Sequence, residues 1–264
     1  MGARSVRKGK RMLKVLYEDN EIIVVVKPAG VESQAAKKFA PDMISEIRKH
    51  MVINKLCTPG KEPYVAVIHR LDKPVSGVMV YAKTKKAAAA LSEQVQNRKM
   101  DKFYAAVVCG KTVNNVDNYV DYLKKSVDGN YSQVVDKGEN DAKRAELTFE
   151  TMKTVDTEDG ELSLVKIHLL TGRHHQIRVQ FSSHGLPLFG DGRYNPKFGG
   201  TAAGPVASAA GAANPADPGA SVPRKSRPTP LALCAVTLAF EHPTTGKRME
   251  FSMEPTGGAF DLFR

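Results

Sequence analysis

Paired cysteines are missing from this sequence. Its three, Cys57, Cys109 and Cys234, lie far apart and form no CxxC. That argues against a disulfide framework or a zinc site and fits a reducing compartment, so a cytoplasmic protein is expected. Long apolar runs are missing as well. The longest near the N-terminus, residues 22–26, is closed by Glu21 and Lys27, too short for a signal peptide or a membrane span. Val6 stands where a myristoylation site requires Ser or Thr. No internal repeat is present. Acidic residues are scarce against basic ones: 28 Asp and Glu face 39 Lys and Arg, a net charge of +11. Such an excess points to a polyanionic partner, most often nucleic acid, or to a protein that is simply basic.

Two segments stand apart in composition. Residues 1–11 carry Arg4, Arg7, Lys8, Lys10 and Arg11 with no acid, which predicts a basic flexible arm over residues 1–12. Residues 199–222 are Ala, Gly, Pro and Ser, with Asp217 the one charge and valine the one larger apolar type. They bury too little to order themselves and read as a surface insertion. Strand-like runs resume after it, so it is expected to interrupt a domain, with residues 13–264 forming a single one.

Short β-branched runs bounded by turn formers predict strands at 13–17, 21–27, 65–68, 78–81, 101–108, 119–123, 131–135, 144–152, 162–170, 231–240 and 248–253. Asp42 predicts a cap for a helix over 43–51, and Thr84 a cap for a second helix to about residue 98. Residues 172–184 hold a further helix-compatible pattern. The expected fold class is α+β, a mixed and largely antiparallel sheet with flanking helices.

The chain is organised around residues 65–83, VAVIHRLDKPVSGVMVYAK, in which two apolar runs flank a turn holding His69, Arg70, Asp72, Pro74, Ser76 and Gly77. An Asp beside a Pro and a Gly is, in isolation, a turn residue satisfying its own backbone. Three features raise a functional reading: a strand leads straight into Asp72, Arg70 lies two residues away, and a second Arg-rich segment comes late. That segment is TGRHHQIRVQFSSHG, with Arg173, His174, His175, Gln176, Arg178 and His184. It has no HxH or HxxxH pair and no acid, so no metal site is expected. On a helix, His174 and Arg178 are i,i+4 neighbours, which offers a guanidinium to a buried carboxylate on one face and a phosphate contact on another. A solvated basic face is the alternative. The phosphate-loop look-alike at Gly110-Lys111-Thr112 fails because Ala105 stands where the first Gly is required. The nucleophile-elbow look-alike at Val75-Ser76-Gly77 fails because Pro74 replaces its Gly.

HRLDKPVSG resembles the central motif of the RluA-type pseudouridine synthases, commonly HRLDxxTSG. Four further segments are similar to that family and fall in its order. These are VLYEDNEIIVVVKPAG at 15–30, Lys102-Phe103-Tyr104 as its KxY strand, TGRHHQIRVQFSSHGLPLFGDGRY at 171–194, and LALCAVTLAFEHP at 231–243. The resemblance implies the pseudouridine synthase fold and isomerisation of specific uridines in rRNA or tRNA after base flipping. By it, Asp72 is the nucleophile, Tyr104 a general base or packing wall beside the sugar, and Arg178 the partner holding Asp72. It places Arg70 in the space the flipped uridine vacates and Leu233 in the pocket wall, with His69, Arg173 and Gln176 beside the RNA. A carboxylate suits the nucleophile's role because it is ionised at neutral pH without a separate base, whereas a phenol near pKa 10 is a poor base unless something lowers it. No cofactor is implied, since the isomerisation is redox-neutral.

Val75 departs from the family's Thr, and Gln180 and Cys234 stand where His is frequent, which bears on loop geometry and not on the reaction. No N-terminal S4-type RNA-binding domain is expected in the twelve residues before residue 13. RNA is the expected partner, and a monomer is expected because nothing signals oligomerisation. A non-catalytic RNA-binding protein using the same basic surface is the competing reading. A glycosidase of another class is a third, weakened because no second carboxylate accompanies Asp72.

Overall fold

The computed structural model describes residues 13–35, 42–127, 131–158, 160–199 and 229–264. The expected arm, and all but the first residue of the expected insertion, lie outside the described residues. Along the chain run β1 (Lys14–Glu18), β2 (Ile22–Lys27), α1 (Met43–Ile53), β3 (Ala66–Val67), β4 (Ser76–Ala82), α2 (Lys85–Gln96), β5 (Asp101–Cys109) and β6 (Val116–Lys125). Then follow β7 (Ser132–Val135), β8 (Lys143–Thr157), β9 (Gly160–Leu169), α3 (Gln176–Ser183), β10 (Leu233–Glu241) and β11 (Arg248–Ser252), with 3-10 turns at Pro196–Phe198 and Gly258–Phe263. The class is α+β. All the strands join one sheet in the order β1-β2-β4-β10-β5-β9-β8-β6-β7, with β11 on β10 and β3 on β4. Every pairing is antiparallel except that of β4 with β10.

Local chemistry explains the elements. β2 reads IIVVVK, a β-branched run buried on both sides, as a central strand requires. The turn into it forms because the Asp19 carboxylate accepts the amides of Glu21 and Ile22, both at 2.8 Å. Asp42 caps α1 by accepting from Ser45 N at 3.1 Å, and Thr84 caps α2 by accepting from Ala87 N at 3.1 Å. One face of the sheet packs Met79, Tyr81, Tyr104, Ile167 and Leu233 against Met43, Ile47 and Met51 of α1 and Ile177 and Phe181 of α3. On the opposite side Val78, Val80, Leu238 and Phe240 pack against Ala87 and Leu91 of α2.

The sheet opens along one edge of β4, and the opening makes the site. With β2 on its other edge, β4 meets β10 only at Ser76 and Gly77, and β3 only at Tyr81 and Ala82. Between them His69 takes up the Val80 amide through Nε2, at 3.4 Å. Gly77 makes the approach of β10 possible: at φ 146° a Cβ there would lie 2.4 Å from the Ala235 carbonyl oxygen.

Three expectations change. The run 65–68 is expected as a buried strand, but only Ala66–Val67 pairs, with Ala82 and Tyr81, and it is half-buried. β8 and β9 extend beyond their apolar cores, since hydrogen bonding continues out to Thr157 and Gly160 where burial does not. The late helix begins at Gln176, so His174 and His175 precede it and are not i,i+4 or i,i+3 partners of Arg178 on a helix face.

Candidate active site

Asp72 sits in a turn closed by the Val75 amide donating to its own carbonyl, at 3.0 Å. A second loop clamps this turn. Leu71 N donates to Ser33 Oγ at 3.0 Å while that hydroxyl donates to the Leu71 carbonyl at 2.8 Å, and Gly30 N donates to the Lys73 carbonyl at 2.7 Å. The Lys27 ammonium, wholly buried, donates to the carbonyls of Pro28, Val31 and Lys73 at 3.2, 2.6 and 3.2 Å. Burial pulls its pKa down to about 8, against the pull of Glu32 and Asp72, so it stays charged at neutral pH. The turn therefore needs no hydroxyl at position 75. Val75 enters the core, 2% exposed.

Arg178 reaches the Asp72 carboxylate from the other side, Nη1 to Oδ2 at 3.1 Å. Its remaining nitrogens fork onto Asp191, Nε to Oδ2 at 2.8 Å and Nη2 to Oδ1 at 2.7 Å. Asp191 is itself fixed by the amides of Arg193 and Tyr194. Burial disfavours both charges, but the bidentate pairing outweighs it and holds Arg178 above, and Asp191 below, their ordinary pKa ranges. The guanidinium also lies 5.1 Å from the centre of the Tyr194 ring. Arg178 is thus immobilised before any substrate arrives, and Asp72, with its side chain 28% exposed, is the member of the trio open to solvent.

His175 closes the set. It adopts a left-handed conformation, φ 53°, at the head of α3, placing Nε2 3.5 Å from Asp72 Oδ2 and Nδ1 2.7 Å from the Tyr194 hydroxyl. Burial lowers its pKa to about 4 despite the pull of Asp72, so the ring is neutral at neutral pH. Tyr194 Oη accepts the Ser132 amide at 2.8 Å and donates to Nδ1, which leaves the proton on Nε2 facing the carboxylate. His174 stacks on His175 at 3.8 Å and bonds Ser132 Oγ at 2.9 Å, tying β7 to the site.

The predicted residues divide. Asp72 and Arg178 are in contact, while Tyr104 and Leu233 are buried in the same core beside Leu71 and Val75. Burial, with Asp72 and Cys234 adding to it, raises the Tyr104 pKa well above that of an ordinary phenol, so the free protein holds no phenolate there to act as base. Arg70 is exposed, with no hydrogen-bond or ion-pair partner among the described residues. Arg173 is partly exposed and donates Nε to the Arg144 carbonyl at 2.9 Å.

Two residues expected beside RNA, Gln176 and His69, are largely enclosed by their own neighbours. Gln176 is 3% exposed, and its amide is consumed by Thr171, the Arg173 amide, the Glu146 carbonyl and Gln180. His69 is packed in the opening of the sheet, where burial and then the charge of Lys102 drive its pKa down to about 3. Gln176 keeps no free group for RNA, whereas His69 is half-buried with Nε2 taken by the Val80 amide. Sequence reasoning missed Asp191, Lys27, His175 and Tyr194 as parts of the site. Asp191 sat inside a Gly-rich turn, FGDGRY, and nothing in its spacing pairs it with Arg178.

The RNA pseudouridylate synthase family matches residues 21–183. An uncharacterised RNA pseudouridine synthase of Aquifex aeolicus is 32% identical over 92% of this chain and 69% of its own length. The ribosomal large subunit pseudouridine synthase D of Pseudomonas aeruginosa is 31% identical over 90% and 67%, and synthase C of Rickettsia bellii 29% over 68% and 56%. The chain thus spans between 56% and 69% of the length of these relatives. Among solved structures, human RNA Pseudouridylate Synthase Domain Containing 1 superposes with a TM-score of 0.67 over 97% of this chain and 86% of its own, at 21% identity. Its counterpart Domain Containing 4 gives 0.64 over 91% and 88%, at 19% identity. These likenesses show the fold; the sequence matches show the family. The chain belongs to the RNA pseudouridylate synthase family, whose members are isomerases that modify RNA.

Proposed function

We propose that this chain converts uridine to pseudouridine in RNA with Asp72 as nucleophile. The observation that carries the reading is a half-exposed carboxylate fixed at 3.1 Å by a guanidinium that is itself locked by Asp191, beside the wall of Tyr104 and Leu233. The target base is hidden in a stack and must flip out, and exposed Arg70 fills the gap. Asp72 then attacks the sugar's anomeric carbon and the bond to N1 breaks, its electron pair leaving with the uracil. The freed base rotates and C5 attacks the same carbon, regenerating the carboxylate. One proton leaves C5 and one arrives at N1, so the reaction is balanced without a cofactor. The regenerated carboxylate is better suited to accept the C5 proton than a phenol kept protonated by burial. Tyr104 therefore serves as the wall.

Large-subunit ribosomal RNA is the proposed target, since relatives carry that name, with tRNA as the alternative; the protein works as a cytoplasmic monomer. Among the described residues no helix is long and apolar enough to cross a membrane. The proposal is tested by mapping pseudouridine in ribosomal RNA and tRNA from cells lacking the gene, then restoring wild type or Asp72→Asn. One or more sites should depend on the wild type and stay unmodified with Asp72→Asn. If no site depends on the wild type, the enzyme reading fails and RNA binding alone remains. Modification restored by Asp72→Asn removes the nucleophile.

A further inference from the structure

Lys102 stands out among the inward-facing lysines. Lys27 is satisfied by three carbonyls, and Lys83 by Glu18 at 2.7 Å and the Asp19 carbonyl at 2.6 Å. Lys102 is partly buried on β5, yet among the described residues it has no hydrogen-bond or ion-pair partner. The neighbouring acid, Asp101, is already engaged by His168 at 3.3 Å and by Arg248. Two residues before Tyr104 on β5, Lys102 points to the same side of the sheet as that wall residue and is less deeply buried. Its ammonium lies beside exposed Gly172, 3.7 Å from where a Cβ there would stand.

A second unpartnered group lies nearby. His69 Nδ1 is buried with no hydrogen-bond partner. The ring is neutral and its Nε2 takes up the Val80 amide proton, which puts the remaining proton on Nδ1. Lys102 is close enough that its charge helps keep that ring neutral. The region thus offers two donors without acceptors, one of them cationic. That pattern suits an anion and suits neither a metal ion nor a base.

We propose that Lys102 is a phosphate anchor, its ammonium receiving a phosphodiester oxygen of the RNA strand at the mouth of the Asp72 pocket. The assignment rests on the reading that this pocket accepts an RNA uridine. It makes Lys102 a positioning residue, holding the backbone while the nucleotide between its phosphates turns inward toward Tyr104.

The test is equilibrium binding of a single-stranded, uridine-containing RNA oligonucleotide, and of the same strand with cytidine for uridine, between 50 and 200 mM salt. Loss of one phosphate contact should reduce the slope of log affinity against log salt by about 0.7. Lys102→Met should show that reduction on both strands, Lys102→Arg should keep the wild-type slope, and Lys85→Met, an exposed charge on α2, should leave it unchanged. The thermal midpoint of Lys102→Met should equal or exceed that of wild type; if the variant does not fold, Lys102→Gln carries the same comparison. An unchanged slope with a lowered midpoint makes Lys102 structural and overturns the proposal. So does a loss confined to the uridine strand, which would place the contact on the base, or an equal shift in Lys85→Met, which would reduce the effect to net charge. Wild type that binds neither strand removes the RNA reading and the anchor together, whereas a normal wild-type slope unmoved by Lys102→Met removes the anchor alone.

Discussion

The two faces of the sheet carry helices built on opposite plans. On one, α2 buries Ala87, Leu91 and Gln94 at i, i+4 and i+7 and leaves Lys85, Lys86, Ala89, Glu93 and Gln96 to solvent. On the other, α3 buries six consecutive residues, Gln176 to Phe181, among them an arginine and two glutamines. The first plan is held by apolar contact and by Gln94, whose amide pairs with the Glu241 backbone at 2.7 and 2.9 Å, and it buries no charge. The second buries polar groups that are tolerated only because each is paired: Arg178 with Asp191 and Asp72, Gln176 with Thr171 and Glu146, and Gln180 with Asp121 at 2.7 Å. The apolar face provides stability alone. The polar face spends stability on fixing a guanidinium against Asp72, the proposed nucleophile.

Single substitutions on the two faces should separate these roles, and the largest effect belongs to Asp191→Ala. It removes both bonds of the buried Arg178 fork and leaves the one to Asp72, and breaking such a pair costs about 3 kcal/mol. Freed from its anchor, Arg178 no longer presents a fixed partner to Asp72, and pseudouridine formation per folded molecule should fall about a hundredfold. Leu91→Ala on α2 removes a wholly buried side chain and should lose about 3 kcal/mol in urea denaturation. Its turnover per folded molecule should equal that of wild type. A matching activity loss in Leu91→Ala would erase the distinction between the faces.

The same contrast decides what was legible in the sequence. α2 was readable because its cap, Thr84, and its stripe, Ala87 and Leu91, are local signals with a helical period. The start of α3 was not. His175 enters it with φ 53° and no side-chain cap, and burial on every side erases the amphipathic period that would mark its first turn. Asp72, Tyr104 and Arg178 were named through motif resemblance, and Asp72 and Arg178 do meet. Asp191 was not, because a carboxylate in a Gly-rich turn looks solvated until the fold returns it to a helix thirteen residues earlier. Lys27 escaped for a similar reason: its three partners are backbone carbonyls, one of them 46 residues away, which side-chain identity does not advertise.

Acid should expose the polar face next. His175, at a pKa of about 4 in the folded protein against an ordinary 6.5, binds its proton more readily when unfolded. Between those values the unfolded state holds more protons, so stability is full above pH 6.5 and is lost as pH falls toward 4. By pH 4.5 the loss attributable to this one ring is about 2 kcal/mol. His69, at about 3, adds a loss of the same sign that continues lower. Denaturation curves at pH 7, 5.5 and 4.5 should therefore show a steady fall that is about 2 kcal/mol shallower in His175→Gln. An equally steep fall in that variant would mean the ring is already solvated in the native state.

The smallest expected effect sits at the start of α2, where position and chemistry can be separated. Thr84 Oγ1 accepts the Ala87 amide at 3.1 Å and donates to Glu21 at 2.6 Å, joining the cap to the turn before β2. Thr84→Ala deletes both bonds and should cost about 1 kcal/mol, while Thr84→Ser, which keeps the hydroxyl, should recover most of it. Asp42, the cap of α1, accepts from the Ser45 amide and hydroxyl at 3.1 and 2.7 Å, and Asp42→Ala should cost a similar amount. The two helices differ in what lies beyond them: α1 packs into the same core as Tyr104 and Leu233, and α2 does not. Equal losses of stability should then give unequal losses of turnover, with Asp42→Ala lowering pseudouridine formation per folded molecule and Thr84→Ala leaving it at the wild-type value. Two caps of equal strength thus ask whether the site depends on total stability or on the face from which it is lost.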